Sequence, residues 1–112
     1  MTEHSVTTAL RDQDLHGLSL VLIDYNGHGR RLVLRIAAGE ARPRTLMFDG
    51  VIGLHCDPPN ALDRRADSET CEIMRIEAME RPKREPDVTL VFRRSGAPQV
   101  VMFRATGARW VD

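Results

Sequence analysis

The chain has 112 residues, the length of one ordinary domain, and its 42% hydrophobic and 29% charged residues are typical of a folded globular protein rather than a disordered one. Sixteen basic and sixteen acidic residues cancel, so no net field attracts nucleic acid or an anionic membrane. We therefore expect neither of them as a partner.

Cysteine content and hydropathy favour a cytoplasmic protein. Two cysteines are far fewer than a small secreted scaffold needs for a disulfide framework. No apolar run approaches the ~20 residues that span a bilayer, and the polar opening of the chain lacks the apolar stretch of a signal peptide. We therefore expect a water-soluble domain in the cytoplasm.

The N-terminal residues are polar and short, without the periodic hydrophobic residues of a core element. Residues 1–13 are predicted to form an arm, with a single helical turn at residues 7–10. The remaining residues, 14–112, are predicted to form one β-rich domain.

The clearest local signal is a hairpin in the first third of the chain. Residues 18–25 are apolar on both parities of an extended segment, which predicts a strand that is central in its sheet or covered on both faces. Two glycines in the turn cluster of residues 26–29 permit a reversal of the chain. Leu32, Leu34 and Ile36 then alternate with Arg31, Val33 and Arg35, as residues of a half-exposed antiparallel strand do.

Two further short strands and a long loop follow. Residues 45–48 and 51–56 are predicted to be strands separated by a turn or bulge at Asp49 and Gly50. From residue 57 to residue 70 the chain is charged, nearly aperiodic and interrupted by Pro58 and Pro59. This composition predicts a surface loop.

The last third of the chain contains one ambiguous segment and a second hairpin. Residues 71–79 are compatible with strand or helix, and the neighbouring elements favour strand. Residues 81–87, with two prolines, are predicted to be a linker. Residues 88–92 and 100–105 form strands around a turn at residues 95–98, and a bend at Gly107 leads to a short pairing segment at Trp110 and Val111.

These elements predict a mainly β fold. Short strands joined by turns indicate an antiparallel meander that forms a sandwich or a partly closed barrel, with at most one or two short helices.

One cluster of residues resembles a metal or thiol site. His55, Cys56 and Asp57 are adjacent, and Cys71 is the second thiol. The spacing lacks the paired ligands of structural zinc sites, and neighbouring strand residues point to opposite faces. We interpret the thiols as packing residues, with metal binding and redox chemistry as the alternatives. No nucleophile motif or phosphate-binding glycine loop is present, so we expect neither an enzyme nor a cofactor.

The long loop is the predicted recognition site, because long loops in compact domains are either functional or simply tolerated. The predicted partner-binding residues are Asp57, Asp63, Arg64, Arg65, Asp67 and Glu69. The alternative is a solvated loop without a function. The next candidate surface is the basic strand face around Arg31, Arg35 and Arg44, which is otherwise an ordinary solvated face.

Three segments carry a family resemblance. They are residues 15–25 (LHGLSLVLIDY), 32–36 (LVLRI) and 46–51 (LMFDGV), which cover about the first half of the chain. Together they resemble small bacterial β-rich domains of unknown function, some of which are grouped with immunity proteins of polymorphic toxin systems. The resemblance implies a cytoplasmic inhibitor that occludes a toxin domain.

These observations lead to a small protein-binding module as the expected function, with an immunity protein as its most specific form. The first alternative is a structural or assembly subunit that self-associates through sheet edges, which would make the protein a homo-oligomer. The second alternative is a small-ligand-binding or enzymatic domain.

Overall fold

The computed structural model of the protein describes residues 5–11, 13–37, 42–59, 61–62 and 71–111. The helix and the strands within these ranges follow one another in chain order: α1 (Val6–Leu10), β1 (Ser19–Asn26), β2 (Arg31–Ala37), β3 (Arg44–Asp49), β4 (Ile52–Asp57), β5 (Cys71–Arg81), β6 (Arg84–Arg94), β7 (Ala97–Arg104) and β8 (Gly107–Val111).

The strands form one open eight-stranded sheet in the order β4-β7-β6-β5-β1-β2-β3-β8, and every pairing is antiparallel. The prediction of a mainly β, antiparallel fold with at most one or two short helices is confirmed. We call β1, β2, β3 and β8 the first half of the sheet, and β4, β5, β6 and β7 the second half.

Two bent strands fold the sheet over on itself. The chain passes from β3 to β4 through Gly50 and Val51, and from β7 to β8 through Ala105 and Thr106. The segment β3–β4 and the segment β7–β8 are thus two long bent strands. They pair with each other on both sides of the bend, through β3 with β8 and through β4 with β7. The two halves of the sheet therefore enclose one core, as both the sandwich and the partly closed barrel require.

Gly50 makes this bend possible. Its φ is +64°, and a β-carbon at this position would collide with the side chain of Thr106. The backbone N–H of Thr106 donates to the carbonyl of Asp49 over 2.9 Å, which holds the two bends together. Only glycine combines this conformation with such a close approach.

The core contains inward-facing residues from both halves. Phe48 of β3 and Phe103 of β7 meet edge to face, with ring centroids 5.0 Å apart. The side chains that are fully buried around them are Leu32, Leu34, Leu46, Ile73, Val88, Leu90, Phe92 and Val101. One continuous cluster thus serves the whole sheet.

β1 is a central strand of the sheet, between β5 and β2, as the first of its two predicted alternatives has it. The other alternative, coverage on both faces, is wrong at Val21, whose side chain is 58% exposed. A β-bulge between Leu20 and Leu22 shifts the register, so that Leu20 and Ile23 both face the core. The bulge explains why residues of both parities in β1 are apolar, although no second layer covers the outer face of the strand at Val21.

The ambiguous segment at residues 71–79 is strand, as its neighbours indicated. The predicted linker at residues 81–87 is wrong, because β5 and β6 are joined by a tight turn of Pro82 and Lys83 alone. Lys83 occupies the turn with φ +64°. The prolines suggested a longer connection, but Pro86 lies within β6, where its carbonyl accepts from the N–H of Ala105.

The N-terminal segment contains the predicted helical turn, and its described part packs against the sheet. Ser5 caps α1 by accepting from the N–H of Thr8, and Val6 is fully buried in the core. Trp110 of β8 donates its indole N–H to the carbonyl of Ala9 over 2.9 Å. The helix thereby lies next to β8, at one edge of the sheet.

Candidate functional site

The predicted recognition loop is only partly within the described residues. Asp57 is the last residue of β4 and is exposed. The other predicted partner-binding residues, Asp63, Arg64, Arg65, Asp67 and Glu69, lie outside the described residues. Their role therefore stays a prediction.

The basic strand face is largely engaged in intramolecular contacts. Arg31 donates to Asp49 over 3.1 Å, and the guanidinium of Arg44 stacks on the ring of Trp110 at 4.1 Å. Arg35 is exposed between them on the same sheet. This arrangement fits a solvated face better than a surface with several free cations.

The cysteine cluster is divided between the two surfaces of β4. Cys56 pairs in register with Val101 of the core, whereas His55 pairs with the exposed Met102. Both cysteines are free, and burial raises the pKa of the Cys56 thiol. Among the described residues, no group of three or more His, Cys, Asp or Glu side chains is placed to hold a metal ion.

The outer face of the second half is a regular grid of side chains, because the registers of three strand pairs align. Each row contains one residue from β5, β6, β7 and β4, in that order. The rows are Glu77, Thr89, Met102 and His55; Met79, Asp87, Arg104 and Ile52; and Arg75, Val91, Val100 and Asp57.

Four of these residues form a contiguous patch on the two inner strands of the grid. Thr89 and Val91 of β6 lie directly opposite Met102 and Val100 of β7, and we call these four residues the central block. Cross-strand neighbours on one face have β-carbons roughly 5 Å apart, so their side chains are in contact range. The central block carries no charge, and the charged residues of the grid surround it.

Two methionines are the most exposed apolar side chains of this face. Met79 is 58% exposed and Met102 is 39% exposed. They line a cleft of about 380 Å³ whose wall also includes Glu77, Thr89 and Asp87. Methionine is unbranched and polarisable, so it adapts to differently shaped apolar partners.

One end of the cleft is closed by an ion cluster on the β5–β6 hairpin. Asp87 accepts from Arg81 over 2.7 Å and from Arg84 over 3.4 Å. The hydrogen bond from Arg81 and the charge of both guanidinium groups hold the pKa of Asp87 below its ordinary value. The carboxylate is therefore ionised and fully engaged at neutral pH.

Arg104 lies directly opposite Asp87 across the β6–β7 pair, yet its side chain makes no hydrogen bond or ion pair within the described part of the chain. Its guanidinium lies over Gly53 of β4, where an added β-carbon would be 3.6 Å from the Nε atom. Since Asp87 is occupied by Arg81 and Arg84, Arg104 remains a free cation at the border of the grid.

A smaller hollow of about 170 Å³ lies beside α1. Leu15, Leu18 and Ile36 form its apolar part, and Arg44 and Trp110 form one wall. Gln13, Asp14 and Arg42 complete its lining. Separately, α1 is too short to cross a membrane, and no other helix occurs in the described ranges.

Sequence reasoning did not identify the grid as a candidate site. The sequence nevertheless indicated an apolar outer face. Residues 88–92 and 100–103 are mostly apolar at both odd and even positions, and only one of these two sets can face the core. The residues of the other set, on the outer face, include the four of the central block. Its assembly requires the β6–β7 register, which places Thr89 opposite Met102.

Comparison with protein-family models, with curated proteins and with solved structures finds no match to this chain. What the protein binds has therefore to be inferred from its own residues.

Proposed function

We propose that the protein is a protein-binding module and that the outer face of the second half is its binding surface. The observation that carries the proposal is the central block: four uncharged, adjacent side chains with charged residues around them. Protein interfaces typically have such an apolar centre and a polar rim.

The residue types support a protein partner rather than a small molecule. Methionine and arginine are enriched in protein interfaces, and both occur on this face at Met79, Met102 and Arg104. The cleft lies on the outer face of the sheet and is partly open to solvent, whereas small-molecule sites bury most of their ligand. A partner with its own apolar patch would cover the central block and the two methionines together.

The charged border would select the partner. Glu77 and Arg75 of β5 lie on one side of the central block, Asp57 of β4 lies on the other side, and Arg104 lies at the end of the block on β7. Complementary charges on a partner increase the association rate, and like charges exclude wrong partners. In its most specific form, the proposal is an immunity protein that neutralises a toxin domain by occlusion, without chemistry of its own.

The test uses two matched methionine substitutions. Met102→Glu places a charge in the central block, and Met47→Glu places the same charge at the equivalent position on the outer face of the first half. The partner candidates are the proteins encoded beside its gene, and binding is measured by titration calorimetry.

We expect Met102→Glu to weaken binding about tenfold or more, since it desolvates a carboxylate against apolar side chains. Met47→Glu should leave the affinity unchanged. Melting temperatures of both variants show whether the fold is intact. If Met102→Glu binds a partner as tightly as the unmodified protein does, the central block is not the binding surface.

A further inference from the structure

The two edge strands of the sheet, β8 and β4, differ in what lies beside them. The edge at β8 lies beside α1, and Trp110 is hydrogen-bonded to Ala9. The other edge is β4, which pairs with β7 on one side and with no described strand on the other. An uncovered edge presents backbone N–H and C=O groups that can pair with another strand.

β4 has an uncharged interior and one acidic end. Its sequence is IGLHCD, and its exposed residues are Gly53, His55 and Asp57. No lysine lies along this strand, and its first proline comes only after its end, at Pro58. Natural sheets commonly use lysine, proline or a bulge to prevent edge-to-edge pairing. β4 lacks the first two, and its one irregularity is the register shift between Ile52 and His55, where Gly53 has a φ of +65°.

Opposite charges lie at the two ends of β4, and neither has a side-chain partner in the part of the chain that the structure describes. Asp57 makes no side-chain hydrogen bond or ion pair within the described residues. The same holds for Arg104, whose guanidinium lies over Gly53 at the other end of the strand. One face of the edge therefore offers an anion and a cation separated by the length of the strand.

We propose that β4 pairs antiparallel with β4 of a second copy of this chain, around a two-fold axis at His55. In this register His55 lies opposite His55 of the second copy, and Asp57 lies opposite Gly53 of the second copy. Neighbouring strands of a sheet lie roughly 4.8 Å apart, and Gly53 has no side chain to separate Asp57 from the guanidinium of Arg104 that lies over it. Asp57 of each copy is thereby brought to Arg104 of the other.

The self-complementary charge pattern identifies a second copy as the occupant. A two-fold axis forms every contact twice, so a single acid and a single base at opposite ends of the strand give two ion pairs. The same register places Leu54 opposite Cys56 of the second copy on the inner face of the sheet. The dimer would join the two second halves into one continuous sheet and place both central blocks on the same side.

The proposal does not depend on the proposed function, because it concerns the protein alone. Sedimentation equilibrium over a range of protein concentrations measures the monomer–dimer equilibrium without any partner. The variants are Asp57→Arg, Arg104→Asp and the double variant with both substitutions. The matched control is Glu77→Arg, which reverses a carboxylate on the same face but on β5, away from the edge.

We expect the unmodified protein and Glu77→Arg to dimerise with similar affinity. Each single edge variant should weaken self-association about tenfold or more, because it places like charges opposite each other twice. The double variant should recover the dimer. A mixture of Asp57→Arg and Arg104→Asp should form a heterodimer, because both of its ion pairs are attractive.

The mixture also addresses folding, since two variants that associate with each other are folded at the edge. A monomeric unmodified protein at all concentrations would overturn the proposal. So would single variants that dimerise like the unmodified protein, or a mixture that remains monomeric. None of these results affects the test of the central block with Met102→Glu.

Discussion

The outer faces of the two halves of the sheet are built from nearly the same residue types but differ at their centres. In the first half the residues at the centre are Val33, Met47, Arg35 and Thr45. In the second half they are Thr89, Val91, Val100 and Met102. A valine in the second half thus takes the place of the exposed Arg35 of the first half.

The two halves also differ in how their arginine side chains are placed around an aspartate. In the first half Asp49 links strands, with Arg31 of β2 at 3.1 Å and Arg109 of β8 at 3.8 Å. The guanidinium of Arg109 also lies 3.6 Å from the sulfur of Met47 and covers it. In the second half Asp87 is held by Arg81 and Arg84 of its own hairpin.

The comparison shows how one change of pairing creates a surface. Asp49 of β3 lies between Arg31 of β2 and Arg109 of β8, and Arg109 covers Met47 with its aliphatic stem. Asp87 of β6 pairs with Arg81 of β5 and Arg84 of its own strand, and among the described residues no ion pair joins it to Arg104 of β7, while Met79 and Met102 stay exposed. This second face is the one that we propose a partner covers.

The largest expected effect tests whether the two halves are one cooperative unit. Phe48→Ala and Phe103→Ala each remove one ring of the pair that joins β3 to β7, and each should cost about 3–5 kcal/mol of unfolding free energy. Denaturant unfolding followed by fluorescence and circular dichroism measures the loss. The double variant should lose less than the sum, because the rings contact each other. Two separate transitions, with one half unaffected, would contradict a shared core.

A smaller effect concerns Asp87 and its pH dependence. Because the folded pKa lies below the ordinary value of 3.8, the ionised carboxylate stabilises the fold above that pH. The contribution is lost as the pH falls through the folded pKa. Asp87→Asn should therefore lower the melting temperature slightly near neutral pH, and the difference should disappear in strong acid. A difference that persists there would show that Asp87 acts by packing rather than by charge.

The smallest effect is chemical and concerns Cys56 on β4. Burial raises the pKa of this thiol above 9.0, so the reactive thiolate is scarce at neutral pH. In a Cys71→Ser background, Cys56 should react with iodoacetamide more slowly in the folded protein than in urea. The rates are measured by mass spectrometry. Equal rates in the two states would show that β4 does not shield its inner face.

The fold class could be predicted from the sequence because turn residues and period-two alternation are local signals. The hairpin around residues 26–29 and the bend at Gly50 are examples, since each depends on a few adjacent residues. The two errors at strands came from a bulge at Val21 and from prolines in a tight hairpin. Neither a bulge nor the tolerance of a register shift, such as the one beside Pro86, for proline changes local composition enough to be seen.

The candidate site could not be predicted in the same way. Its residues come from four strands that are brought together by register, and register is a tertiary property. The sequence directed attention to the charged residues from Asp57 onwards, and of the six predicted partner-binding residues Asp57 alone is within the described part of the chain. Asp57 does lie at the border of the grid, opposite Val100, but nothing in the sequence relates it to Arg104.

The bend at Gly50 also determines when the molecule can become complete during folding. The hairpins β1–β2, β5–β6 and β6–β7 join neighbouring segments and can form early. The contact between Thr106 and Asp49 spans 57 residues, and that between Trp110 and Ala9 spans 101. To form a contact between residues so far apart in the sequence, the chain first loses the conformational entropy of a long loop. This loss comes before the contact stabilises the fold, and it slows the folding of β-rich domains. Closure at Gly50 therefore falls late on the folding pathway, and until then both the inner apolar face and the β4 edge are open to other chains.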